Sequence, residues 1–290
     1  MGFVIFGDSA CNLPRAQLEQ FQVQTISFSI EMEGKLVPCP KYPEAFDGKA
    51  YYDYLRNKGV VKTSLLPAGQ IMEAFRPTLA AGEDILYITL SSGISGTVSS
   101  ALQAAQLLAE EFPQRTVRVF DSLGAGLGTG LLIGRAADYR AAGLDLTATC
   151  QALEKDRENL CEYFTVDDLM FLRRTGRVSG VAATLGTMLH LKPILRGDEH
   201  GHITVCNKVR GRKRAMEVFA ELYRKRAAAP ETQRVYISHG DCLADAQTLA
   251  QMVEAIAKPK ELIISMHEPL TGAHTGPGML ALFFLSGGGR

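Results

Sequence analysis

The sequence predicts an α/β protein of two domains: an N-terminal three-layer α/β/α domain on a parallel sheet, residues 1–155, and a C-terminal α/β domain with a mixed sheet, residues 156–290. Three observations lead there. From Val4 to Ala142 short apolar runs alternate with helical stretches, as strands joined by crossover helices do. Beyond Leu144 the alternation changes, and GDEHGHITVCNKVRG (197–211) has the turn residues and alternating polarity of a hairpin, which makes the second sheet mixed. At 290 residues and 46% hydrophobic, the chain can bury two ordinary cores.

The elements follow in order. VIFGDS, from Val4 to Ser9, is a short apolar run ending in Asp and Ser, and Asn12, Leu13 and Pro14 signal a helix start. Val23–Glu31 alternates as one strand, Gly34 marks a turn, and Ala45–Lys58 has helical composition up to Gly59. Thr63 and Ser64 precede a helix expected over Ala68–Leu79. Strand Ile85–Leu90, helix Gly96–Glu111, strand Val117–Phe120 and a Gly-rich helix ending near Ala142 complete the first half. In the second half, helix Leu146–Asn159 leads to the strand CEYFTV, a short helix closing on Gly176, a helix over Ala182–His190 and the extended LKPIL. After the hairpin come helix Arg212–Ala228, strand Val235–His239, helix Leu243–Ile256, strand Glu261–His267 and a Gly-rich stretch before LALFFL. Right-handed crossovers would bring the loops after the parallel strands to one sheet edge.

Composition narrows the function. Lys plus Arg and Asp plus Glu are 31 each, which argues against a strongly basic nucleic-acid surface. The apolar runs are too short to span a bilayer, and the N-terminus lacks the basic region and cleavage site of a secretory signal. Six scattered cysteines form no CxxC pair and no metal-ligand spacing, so reduced thiols in a cytoplasmic protein are expected, with no metal.

The segment ILYITLSSGISGTVSSA (85–101) runs from a buried-strand pattern through a Ser/Gly/Thr loop into a helix. Such a loop offers hydroxyls and free backbone N–H groups to an anion. No Walker lysine and no GxGxxG accompany it, so a single carboxylate or phosphate fits better than a nucleotide. Ser91, Ser92, Ser95 and Thr97 are also ordinary cap and turn residues, and His274 in GAHTGPGML, ahead of an expected apolar helix, reads as lying at a strand-to-helix junction.

Taken together, DSACNL (8–13), KTS (62–64), LSSGISGT (90–97), FDS (120–122), the segment Phe164–Leu195, KVRGRK (208–213), ISHGD (237–241) and HTGPG (274–278) resemble the DegV family of fatty-acid-binding proteins, which includes the B subunits of bacterial fatty acid kinase. The motifs occur in the family's order and span nearly the whole chain. The resemblance implies that a long-chain fatty acid binds non-covalently in a tunnel between the domains, its carboxylate held by Thr63, Ser92 and His274, with Ser64 and Ser95 as alternative hydroxyls. It implies an acyl tunnel lined from among Ile26, Phe28, Phe164, Leu169, Met170, Phe171, Leu185, Met188, Leu189 and Met279. It also implies docking of an ATP-dependent fatty acid kinase subunit through Arg177 and Arg210, and neither a cofactor nor a catalytic residue in this chain. The chain departs from the family pattern at Thr175-Gly176-Arg177 and at Leu65, Leu66 and Pro67.

Two other readings remain. One is an acyl hydrolase or acyltransferase using Ser92 or Ser95 with His274, against which stands the lack of a GxSxG elbow. The other is nucleic-acid binding through KVRGRKR, against which stand the neutral chain and the absence of interleaved aromatics.

Overall fold

The computed structural model describes residues 2–178 and 191–290. The first half contains β1 (Phe3–Asp8), β2 (Val23–Ile26), β3 (Ser29–Met32), β4 (Lys35–Pro38), β5 (Val61–Thr63), β6 (Asp84–Thr89) and β7 (Val117–Asp121). A parallel sheet runs in the order β2-β1-β6-β7, and β4-β3-β5 form a separate antiparallel sheet.

That second, small sheet corrects the single strand expected over Val23–Glu31. The alternation is continuous in sequence, but the chain changes sheets at Ser27 and Phe28. There the Phe28 N–H donates to Ser9 Oγ at 3.0 Å, and the Phe28 carbonyl accepts from Cys39 N at 2.7 Å. Local pattern cannot show a turn fixed by such distant partners.

The second half contains β8 (Leu160–Thr165), β9 (Leu191–Gly197), β10 (Ile203–Arg210), β11 (Arg234–His239), β12 (Glu261–Met266) and β13 (Leu280–Leu285). They form a mixed sheet in the order β10-β9-β8-β13-β11-β12, with β11 and β12 parallel and the other neighbours antiparallel. The expected β9–β10 hairpin is present. The expected helix over Ala182–His190 lies outside the described residues.

Helices fill the layers. Those at Ala68–Ala80 and Thr97–Glu111 bury Phe75, Leu79, Ala101 and Leu108 against Phe6, Ile85 and Tyr87 on one face of the parallel sheet. The helix Leu127–Ala141 packs on the opposite face, against Ile5, Leu86 and Ile88, and the same core includes Tyr236, Ala281 and Phe283 of the second sheet. It is therefore buried nearly all round, which explains its low polarity. Helices Arg212–Arg226 and Leu243–Glu254 cover the far face of the second sheet.

Strand β13, LALFFL, is apolar throughout because both its faces are covered. Leu280, Leu282 and Phe284 face the outer helices, whereas Ala281 and Phe283 face the shared core. The segment after His274 is thus a strand, not the helix expected.

Candidate functional site

A cavity of about 200 Å³ lies between the small sheet, the loop after β6 and the inner face of the second sheet. Its walls are mostly apolar, with Phe28, Leu90, Ile94, Phe164, Leu172, Leu270, Met279, Ala281 and Phe283 among them. Its polar lining is small: Thr63, Ser64, Ser95, Arg177, His274 and Thr275, with His267, Thr271 and Glu162. An apolar slot with a few convergent polar groups is the usual form of a small-molecule site.

Thr63 is carried at the end of β5, where pairing opposite Ile30 of β3 fixes its direction. His274 lies within the helix Pro269–Thr275, not at the strand-to-helix junction expected. Glu268 caps that helix by accepting from Leu270 N at 2.6 Å and Thr271 N at 2.7 Å, and Pro269 occupies the first helical position. Gly276, at φ +74°, turns the chain out at the other end.

These two elements bring Thr63 Oγ1 within 3.0 Å of His274 Nε2, across 211 residues of sequence. Burial, and then the charges of Arg177 and Arg174, push the His274 imidazole down to about 4. It is therefore neutral at pH 7. Its Nδ1 is buried and has no partner among the described residues. An arriving carboxylate can accept from the Thr63 hydroxyl and the imidazole N–H in place of their mutual contact, with the Arg177 cation in the cavity wall beside it. Several such donors are what keep a half-buried carboxylate ionised.

The loop after β6 contributes one of its hydroxyls to the cavity, at Ser95. Ser95 Oγ lies 2.9 Å from Thr97 Oγ1 and also accepts from Thr97 N at 3.2 Å. Ser92 lies elsewhere: it is exposed, does not line the cavity, and its N–H donates to Asp121 Oδ1 at 3.2 Å. The β9–β10 turn determines this arrangement. Ser91 Oγ donates to the Gly201 carbonyl at 2.9 Å, and a Cβ on Gly93 would stand 2.6 Å from the Gly201 backbone. Only glycine lets the two loops close.

Of the other expected residues, Ser64 lines the exposed rim, and Phe28, Phe164 and Met279 line the wall. Ile26 is buried in the neighbouring core and Met170 is half exposed, and neither lines the cavity. Leu185, Met188 and Leu189 lie outside the described residues. Arg177, expected at a docking face, lines the cavity, while Arg210 is exposed at the end of β10.

The sequence reading did not single out Glu162, His267 or Thr271. His267 bridges Ser238 Oγ, 2.9 Å from Nδ1, and Thr271 Oγ1, 2.8 Å from Nε2, and burial pushes it down to about 3. Glu162 is buried, and burial raises its carboxyl despite a pairing Arg290. A signal for it did exist. Glu162 stands between Leu160 and Phe164 at an inward position of the strand LCEYFT. Among the described residues no group of three or more His, Cys, Asp or Glu could hold a metal ion, and no helix is long and apolar enough to cross a membrane.

A family model described as "Uncharacterised protein, DegV family" matches residues 2–287. The chain is 34% identical over 287 residues to a DegV domain-containing protein of Clostridium perfringens, covering 98% of this chain and 97% of the relative. The fold is similar to that of a fatty-acid-binding DegV family protein from Thermus thermophilus, with a TM-score of 0.89, 28% identity and coverage of 99% and 100%. It is likewise similar to DegV, a fatty-acid-binding protein from Bacillus subtilis, with a TM-score of 0.84, 26% identity and 99% coverage of each chain.

Proposed function

The chain belongs to the DegV family, and from that premise we propose that it binds one long-chain fatty acid non-covalently and presents the carboxylate to a partner kinase. The observation that carries this reading is the Thr63–His274 pair in the wall of an otherwise apolar cavity. The fatty-acid binding described for the Thermus thermophilus and Bacillus subtilis proteins supports it. Burying about fifteen methylenes at roughly 0.8 kcal/mol each gives about 12 kcal/mol gross, much of it offset by lost ligand freedom. Tail burial then supplies affinity and the polar pair fixes direction.

The head-group set we favour is Thr63, His274 and Ser95, with Ser64 at the rim. Ser92 joins it only if the loop rearranges when the ligand enters. The partner would bring ATP and form the acyl phosphate, and this chain would catalyse nothing. In the hydrolase reading, Ser92 or Ser95 needs His274 as its base. The bonds described for these residues are instead Thr63 to His274, Ser95 to Thr97 and Ser92 to Asp121.

Native mass spectrometry of the purified protein tests the carrier. A co-purified fatty acid, or uptake of one after delipidation, is expected, and a protein that neither carries nor takes up any fatty acid would refute the reading. Thr63→Val should weaken binding about tenfold, the worth of one hydrogen bond to a charged group. For docking, Arg210→Ala is the cleaner variant because Arg177 also borders the ligand. It should leave lipid binding intact and lower phosphorylation by the kinase, and full phosphorylation would count against the docking role.

A further inference from the structure

We propose that Glu162, locked by Arg290, is the tail stop of the cavity and sets the longest acyl chain this protein accepts. The inference rests on the fatty-acid reading and deepens it. The inner face of the second sheet forms one wall of the cavity, and its register orders that wall. Leu280, which follows the turn after the His274 helix, pairs with Thr165, and three residues further on Phe283 pairs with Glu162. Glu162 therefore stands about 10 Å along the strands from Leu280, on the side away from the His274 helix. Phe164, Ala281 and Phe283 make the stretch between them apolar.

At Glu162 the wall becomes polar and rigid. The side chain is 8% exposed, and Oε1 accepts the Ala125 N–H at 2.9 Å while Oε2 pairs with Arg290 Nη2 at 2.9 Å. The same Arg290 nitrogen donates to the Leu123 carbonyl at 2.6 Å. From the other side, the helix backbone at Gly128 comes so near that a Cβ there would stand 1.9 Å from Glu162 Oε1. The carboxylate has no room to swing away. A terminal methyl can reach it but can pass only by parting a buried ion pair, which strands both charges in an apolar surrounding.

The test is a binding series of saturated fatty acids of increasing length on the delipidated protein. For the native chain, affinity should rise about fourfold per methylene up to a limiting length and then fall. Glu162→Ala combined with Arg290→Ala removes both charges together with the side-chain volume that closes this end, and should move that limit up by about two carbons. Ala125→Val adds bulk at the same end without touching the ion pair and should lower the limit, which keeps the inference testable if the double variant does not fold. An unshifted limit in these variants would overturn this inference alone. Failure of the native chain to bind any member of the series would overturn both the inference and the reading beneath it.

Discussion

His274 contributes to the acid sensitivity of the lipid-free protein. Its imidazole titrates near 4 in the fold against an ordinary 6.5, so the unfolded chain takes up the proton first as pH falls. The stability from the neutral ring is fully present above about pH 6.5 and is lost as pH falls through about 4, on the order of 3 kcal/mol between pH 7 and pH 4. His274→Gln removes this titration, and denaturant unfolding at pH 7, 5.5 and 4 should show a dependence flattened by that amount. An identical pH profile in the two proteins would refute the assignment. The other buried groups remain in both proteins and cancel in the difference. Among them His267, pushed down to about 3, acts in the same direction. Asp8 at about 6 and Glu268 at about 7 act oppositely, since their raised values add stability at low pH that is lost as pH rises through them. The sequence joined Thr63 to His274 only through resemblance, because nothing local links residues 211 positions apart. It could not separate Ser92 from Ser95, because the β9–β10 turn seated on Ser91 decides which hydroxyl reaches the cavity.

The Gly-rich helix Leu127–Ala141 shows the same limit for elements. Glycine costs a helix about 1 kcal/mol against alanine, so its repetition is explained by what the helix touches. A Cβ on Gly130 would stand 2.8 Å from the Cys11 carbonyl and 2.9 Å from Leu13 Cγ, where backbone cannot give way. Gly130→Ala should therefore destabilise the protein by about 1–3 kcal/mol despite the better propensity. Gly69→Ala, in a helix where nothing lies within 4 Å, should gain several tenths of a kcal/mol. Urea midpoints for the pair check both, and a stabilising Gly130→Ala would show that the close approach relaxes. Periodicity disclosed most helices and the parallel strands because their patterns are local. It left TGAHTGPG as a Gly-rich stretch without a helix because the Glu268 cap and Pro269 lie before it and outweigh Gly272, and it merged β2 with β3 because the change of sheet depends on Ser9 and Cys39. The inward Glu162 of β8 was visible as a charge among apolar neighbours, but its Arg290 partner lies 128 residues away.

For the whole molecule, we propose the expected division near residue 155 as a boundary between sheets rather than between cores. One continuous core joins Ile5, Leu86 and Ile88 of the first sheet to Tyr236, Ala281 and Phe283 of the second through Leu131, Leu132 and Ile133 of the shared helix. Neither half can lose that helix without exposing its own inner face, so the two sheets should unfold in one transition. Hydrogen exchange should give amides of β1 and β6 the same global opening free energy as those of β11 and β13. Leu132→Ala, at a fully buried position, should lower both sets together by about 3 kcal/mol. Protection of β11 and β13 that survives this variant while β1 and β6 lose theirs would instead make the halves independent. The cavity lies against both halves of this single unit, so a fatty acid at one hundred times its Kd should raise the stability of the whole by about 2.7 kcal/mol and the Tm by about 5 °C. That gain should appear equally in the amides of both sheets, because a ligand that binds only the folded state cannot stabilise one half of a cooperative unit and leave the other unchanged.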